Sequence, residues 1–461
     1  MTHAEETSSW TAVLAPSRIL ALTALLGGVL LYAMSALLVS TVLPSAIAEI
    51  GGVAYLSWAT TAYLASSIAA ATGSGLLTAR IGARNAFALA ALVFCVGALV
   101  CGLAATMGQF ILGRLVQGVG GGMISALAYV MVRNVFPAPL WPRVFALLSG
   151  MWGAAVLVGP LVGGVFAKAG VWRSAFLAVA GMGLVLAVAT MCVLPTDTQR
   201  ARGWVFPALR LSLVIAAILA MSGAGVVQDM LETVAMIIAA LGAILIMLWL
   251  DRRASVPLLP SDGFSLNSSV GIGLWIVLLL SIANDPFPIY GPLFLQRLHG
   301  FDALTAGYLV AIEALAWTLT ALAVAHMPQT GWLPVGGPLA MAAGLAGIAF
   351  FMAHGPIWAV VIAIYLAGGG IGACWAFVSH RIMSGAKIGE ENIAAASAPT
   401  VQLFGLAFGA ALAGLIANVA GYAEGLSNEA THAASFQVPI WFVAPALAAA
   451  IFGCRLRKVP T

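Results

Sequence analysis

The chain has 461 residues, of which 62% are apolar and 7% charged, with a formal net charge of +4 and a mean hydropathy of +1.07. So little charge cannot cover the surface of a water-soluble protein of this length. Apolar runs of about 20 residues span a bilayer as helices, whereas barrel strands are about 10 residues long and alternate in polarity. Long unbroken runs dominate here, so the composition predicts a polytopic α-helical membrane protein.

In chain order, residues 1–18 form an expected cytoplasmic tail carrying Glu5 and Glu6. The run near 19–45 is followed by a signal-like "AIA" at Ala46–Ala48. It is too long for a signal peptide and its leading segment is acidic, so a retained first helix is expected. Further runs near 53–78, 84–105, 108–134, 143–167 and 173–194 complete a predicted six-helix bundle over 19–195. Runs near 207–226 and 231–250 give an inserted hairpin within 196–258. The last six, near 268–296, 303–325, 332–353, 357–380, 393–421 and 437–454, form a second bundle over 259–455, before a tail at 456–461. That makes fourteen predicted helices. A twelve-helix plan needs 207–250 to be a cytoplasmic loop, and the stretch is too apolar for one.

Charge orients these helices, because cytoplasmic segments of membrane proteins are enriched in Lys and Arg. With the N-terminus inside, fifteen of the nineteen Lys and Arg residues fall in inside segments, among them Arg200, Arg202, Arg252 and Arg253. Lys168, Arg173 and Arg297 fall outside, and Arg114 lies within a helix. Both ends are therefore expected to face the cytoplasm. Six helices on each side of an inserted pair match the repeat architecture of secondary transporters. The five cysteines (Cys95, Cys101, Cys192, Cys374 and Cys454) are scattered, without metal-ligand spacing, and read as small packing residues.

Motifs sharpen this reading. After the second run, "GSGLLTARIGARNA" resembles the loop motif of the major facilitator superfamily through Gly75, Leu77, Arg80, Gly82 and Arg84. The pattern's acid, which in the family helps lock the two halves, is Ala79 here. "ILGRLVQGVGGGMISAL" resembles the helix-four pattern through Arg114, Gln117 and Gly118. "GMWGAAVLVGPLVGGVF" resembles the antiporter motif through Gly159, Pro160, Gly163 and Gly164, with Ala155 at an upstream glycine position. "GVWRSAFL" and "LFLQRLHGFDALTAGYL" resemble segments of the fourteen-helix drug:proton antiporters. That branch carries an Asp and an Asn in its first-helix motif, where this chain has Ser35 and Ser40. The resemblance implies two six-helix bundles plus two inserted helices, and a role for Arg114 in proton handling.

Away from the helix ends, three ionisable residues remain inside the membrane: Arg114, Asp285 and Glu313. A charge at mid-bilayer costs about 2.5–3.5 kcal/mol on insertion scales, so each needs a reason. Arg114 shares a helix face with Gln117 and either serves a central cavity or braces a neighbouring helix. Asp285, in "IANDPFP", either caps a helix restarted at Pro286 or carries the coupling proton. Glu313 has no proline beside it; it is either a proton carrier or a neutral acid bonded between helices. Tyr32, Ser35, Gln117, Tyr290, Trp317, Trp375 and Gln402 stand at depths suited to a substrate cavity. Glycine runs at 118–122 and 368–372 suit close helix packing, since no P-loop pattern surrounds them.

The expected function is secondary active efflux, with inward protons driving an amphipathic or cationic drug-like compound outward. A membrane potential supplies about 2.3 kcal/mol per charge per 100 mV, enough for roughly a fifty-fold gradient. The alternatives are transport of one endogenous metabolite or organic anion held by Arg114, a non-transporting sensor, or an intramembrane enzyme. No HExxH or GxSxG pattern favours the enzyme, and the six histidines (His3, His299, His326, His354, His380 and His432) are isolated in sequence. The expected coupling ion is the proton, with no other cofactor and no metal. The expected partners are the lipid bilayer and a small-molecule substrate, without nucleic acid, for a monomer in a plasma membrane of bacterial inner-membrane type.

Overall fold

A computed structural model of the protein describes residues 10–195, 207–227, 229–254, 257–324, 327, 332–388 and 390–459. His3, Glu5, Glu6, Arg200, Arg202 and His326 lie outside the described residues. Among the described residues every regular element is helical. The first group comprises α1 (Pro16–Ile50), α2 (Leu56–Ile81), α3 (Ala83–Gly102), α4 (Met107–Val135), α5 (Trp141–Lys168) and α6 (Trp172–Val193). The inserted stretch folds as α7 (Ala208–Ala224) and α8 (Met230–Asp251). There follow α9 (Ser269–Asn284), α10 (Pro286–His299), α11 (Ala303–Val324) and α12 (Leu333–Phe351). The last are α13 (Ile357–Ser384), α14 (Glu391–Ala417), α15 (Asn428–Trp441) and α16 (Val443–Leu456).

Every apolar run lies in a helix. Twelve helices among the described residues are long and apolar enough to cross a membrane, with α9–α10 and α15–α16 each counting as one. Serine, threonine and glycine dilute α2, and α7 has only 17 residues, so neither belongs to that set.

Local chemistry sets several boundaries. Thr106 opens α4 by accepting the Gln109 N–H, while the Gln109 side chain accepts the Ala105 N–H at 2.8 Å, a reciprocal cap. Ser268 caps α9 through the Gly271 N–H at 3.0 Å, and Ser427 caps α15 through the Ala430 N–H at 3.0 Å. Gly82 joins α2 to α3 at φ +81°, a left-handed conformation that glycine adopts without a Cβ penalty. Pro286 cannot donate to the preceding turn, and the rod divides there into α9 and α10.

The chain forms two compact units, Met1–Gly51 with Ala65–Ala208, and Gly52–Leu64 with Leu209–Thr461. In the first, α1 packs on α4, α5 and α6, while α3 packs on α4 and α6. In the second, α9 packs on α13, α14 and α16, while α12 packs on α13 and α16. One packing plan thus occurs twice, each helix of the second set taking the place of its counterpart in the first.

The inserted pair seats on α14 of the second unit. Ala217 and Met221 of α7, Ala240 of α8 and Ala411 of α14 form a buried cluster, flanked by Phe408, Leu412 and Leu415. At one end of the pair, Arg210 is ion-paired with Asp251, which also accepts the N–H groups of Leu258 and Leu259 at 2.9 and 3.0 Å. At the other end, Asn418 donates its amide to the carbonyls of Gly225 at 2.7 Å and Ala54 at 2.8 Å. Asn418 begins a π-helical segment, Asn418–Tyr422, that extends α14.

Candidate functional site

The second unit holds both membrane acids. The stripe that α11 buries is narrow: Ala303, Ala306, Gly307, Val310, Glu313 and Ala316, at three- and four-residue spacing. Glu313 lies on that stripe, 4% exposed. The glycine run of α13 presses directly on it. A Cβ at Gly368 would run into the Glu313 carbonyl, and one at Gly372 into the Trp317 carbonyl. The close packing expected of residues 368–372 therefore occurs against the backbone that carries Glu313 and Trp317.

Asp285 sits at the junction between α9 and α10 and is buried. The capping role considered from its Asp-Pro sequence is not realised: the backbone there is helical (φ −78°, ψ −25°) and the side chain makes no cap bond. A capping side chain accepts from the second or third helical N–H. The third position is Pro288, which has none. Asp285 and Glu313 are electrostatic neighbours. Asp285 Oδ2, both Glu313 carboxyl oxygens and Asn284 Oδ1 are buried without hydrogen-bond partners.

Asn284, the chain neighbour of Asp285, and Trp317, one turn beyond Glu313, help line a small recess of about 10 Å³, whose walls also include Ser281, Trp375, Gln402 and Leu406. The two indole rings stand 5.5 Å apart at 58°. The structure thus brings Trp317, Trp375 and Gln402 together around one recess and adds Ser281 and Asn284, which the sequence reading passed over. Their spacing of three residues on α9 is the signal that could have found them. Tyr290 stands apart from the recess, buried between Phe294 and Tyr422 at ring distances of 6.0 and 6.1 Å.

The first unit holds the remaining membrane charge. Arg114 has no exposed surface and donates to the Gln117 side chain at 2.6 Å, the Ser35 hydroxyl at 3.2 Å and the Ser35 carbonyl at 3.4 Å. Ser35 thus meets the arginine at the position where the fourteen-helix pattern carries an acid, and a hydroxyl stands in for the carboxylate. Tyr32 is buried nearby, packed edge-on against Trp152 at 5.8 Å.

The motif residues are placed as follows. Gly75 and Arg80 lie on α2, Arg84 in the first turn of α3, and Gly82 between them. Gly159 and Gly163 of α5 face α1: a Cβ on Gly159 would come 2.9 Å from Leu37, and one on Gly163 would meet the Thr41 hydroxyl. Pro160 and Gly164 lie within α5, which continues through them. Trp172 and Arg173 share one partner that the sequence reading missed, Glu49 at the end of α1. The Trp172 N–H donates to it at 2.7 Å, and Arg173 pairs with it while also donating to the Ala104 carbonyl at 2.9 Å.

Comparison with known proteins places this geometry. The family model of the Major Facilitator Superfamily matches residues 25–398. A protein of Mycobacterium tuberculosis (strain H37Rv) named a probable multidrug-efflux transporter is 37% identical over 435 residues, covering 90% of this chain and 91% of that protein. Among solved structures, the POT family transporter PepTSo superposes with a TM-score of 0.67 at 15% identity, covering 95% of this chain and 97% of the other. The xylose transporter XylE from E. coli gives 0.61 at 15% identity, covering 94% and 96%. At such identities the structural likeness concerns the fold, while the family match rests on sequence. The chain belongs to the major facilitator superfamily, and it is a membrane-embedded transporter, not an enzyme.

Proposed function

We propose that this transporter is a proton-coupled exporter of amphipathic or cationic drug-like compounds. It works with fourteen membrane spans and both ends in the cytoplasm, as a monomer in a bacterial plasma membrane. The observation that carries the reading is the pair of buried acids, Asp285 and Glu313, with unpartnered oxygens beside an aromatic-walled recess. A carboxylate without donors in a low-dielectric site is costly, so such an acid holds either a proton or a cation. Two neighbouring acids sharpen that choice, because both cannot be charged cheaply at once. An arriving cation displaces the proton, and an arriving proton releases the cation. The tryptophan faces suit the apolar and cationic parts of the compound. The relative named a probable multidrug-efflux transporter supports the substrate class.

Arg114 takes a subsidiary part, its guanidinium being engaged by the Ser35 and Gln117 side chains. This favours proton exchange in the second unit. The span count rests on α7 and α8 as an apolar pair, and the orientation rests on the arginine-rich segments.

The test is purified protein in liposomes with an imposed pH gradient and ethidium as the probe. Gradient-driven movement is expected in the wild type and is expected to fall about tenfold, equivalent to ~1.4 kcal/mol, in Asp285→Asn and in Glu313→Gln. Equal flux in all three proteins removes both acids from the coupling role. Movement of an organic anion that depends on Arg114, with ethidium unmoved, replaces the substrate class.

A further inference from the structure

We propose that the foot of the inserted hairpin binds an anionic phospholipid, with the lipid phosphate on Arg252 and an acyl chain along the open face of α8. The observation is a recess of about 170 Å³ at the end of α8, whose walls include Asp251, Arg252, Pro257, Leu259, Pro260 and Ser261. It is distinct from the tryptophan-walled recess, being built from the end of α8 and residues between Pro257 and Gly263.

The charges at this foot favour an anion. Asp251 lines the recess, but its carboxylate is already engaged by Arg210 and by the N–H groups of Leu258 and Leu259. Behind Ser261, which lines the recess, Glu390 accepts from its N–H and hydroxyl at 3.1 and 3.2 Å, while Lys387 donates to the same hydroxyl at 2.8 Å. That acid and that base offset each other. Arg252 and Arg253 remain as the excess charge, both exposed.

The apolar part points to a lipid and not to a free ion. Only 11% of the most apolar stretch of α8 is fully buried, and about half of the helix's residues are exposed. Leu241, Leu245 and Trp249, at four-residue spacing, form an open stripe, 49%, 67% and 51% exposed, that descends to the recess. Arg253 folds over the Trp249 ring at 3.9 Å, the arrangement of an interfacial anchor with its guanidinium at headgroup level. Basic recesses beside membrane helices hold lipid headgroups by this combination of charge and adjoining apolar wall. A phosphodiester with attached chains satisfies both parts of the surface, and inorganic phosphate satisfies only one.

The test is native mass spectrometry of the full chain released from micelles containing phosphatidylglycerol or phosphatidylcholine. The wild type is expected to retain phosphatidylglycerol preferentially. Arg252→Gln is expected to weaken retention about fivefold, the contribution of one arginine near an anionic surface. Arg455→Gln, on another exposed arginine, is expected to leave it unchanged, and Arg252→Lys to keep most of it. Because Arg252 is exposed, the Gln variant should unfold at the wild-type temperature in phosphatidylcholine. Equal retention of both lipids, or unchanged retention in Arg252→Gln, overturns the proposal. So does displacement of the lipid by millimolar inorganic phosphate, which would mark a free-anion site.

Discussion

Arg114 lies wholly buried against Gln117 and Ser35, so its removal strands their oxygens in a low-dielectric interior. Arg114→Met is expected to cost roughly 1–3 kcal/mol, read as a lower unfolding temperature in detergent. Ser35→Asp would return to the arginine the acid of the fourteen-helix pattern. It is expected to be tolerated alone and damaging in Arg114→Met. A double-mutant cycle should then give a coupling of about 0.5–3 kcal/mol. The three membrane charges were legible in the sequence because a charge within an apolar run has no cheap explanation. Glu49 and Asn284 were not. One stands at a helix end, where acids are common, and the other is neutral and sits beside a more conspicuous aspartate. Of the two roles open to Asp285, the cap is the one the structure does not show, and the same stretch bears on it, since Pro288 removes one of the two donors a cap could use.

At the level of helices, the contact between α11 and α13 depends on residues without side chains. Gly368→Ala is expected to force the two backbones apart at Glu313, at a cost of about 1–3 kcal/mol, and to reduce proton-driven flux with it. Gly150 of α5 meets nothing within 4 Å of an added Cβ. Gly150→Ala is expected to hold or raise the unfolding temperature, by up to ~1 kcal/mol of helix propensity. Parallel thermal unfolding and flux measurements on the two variants check the contrast. The helices were readable because long apolar runs have one stable backbone solution in lipid. The glycine runs were readable as contact surfaces, but not the helices they would meet. Such pairing is set by tertiary packing, and so is the π segment at Asn418–Tyr422, which no local pattern announces.

For the whole molecule, the fourteen-span reading requires α7 and α8 to cross the bilayer. In a background with the exposed Cys192 and Cys454 replaced by Ser, Asp229→Cys is expected to react with an impermeant maleimide added outside intact cells. Ala254→Cys is expected to react only after permeabilisation. Labelling of Asp229→Cys only after permeabilisation would return the pair to the cytoplasm and the count to twelve. The repeated packing plan was legible in outline, as six runs on each side of a pair. The attachment of that pair to α14 was not, because alanine and methionine contacts leave no signature in an apolar chain. The amide of Asn418 adds a consequence for anyone trimming this protein. Because it takes one carbonyl from Gly225 and another from Ala54, excising residues 208–251 would leave a buried N–H bereft and a bald strip along α14. The hairpin behaves as a graft that has healed into its host. A minimal version requires compensating surgery that begins with Asn418→Leu, whereas the bared strip of Phe408, Ala411, Leu412 and Leu415 is already apolar and suited to lipid.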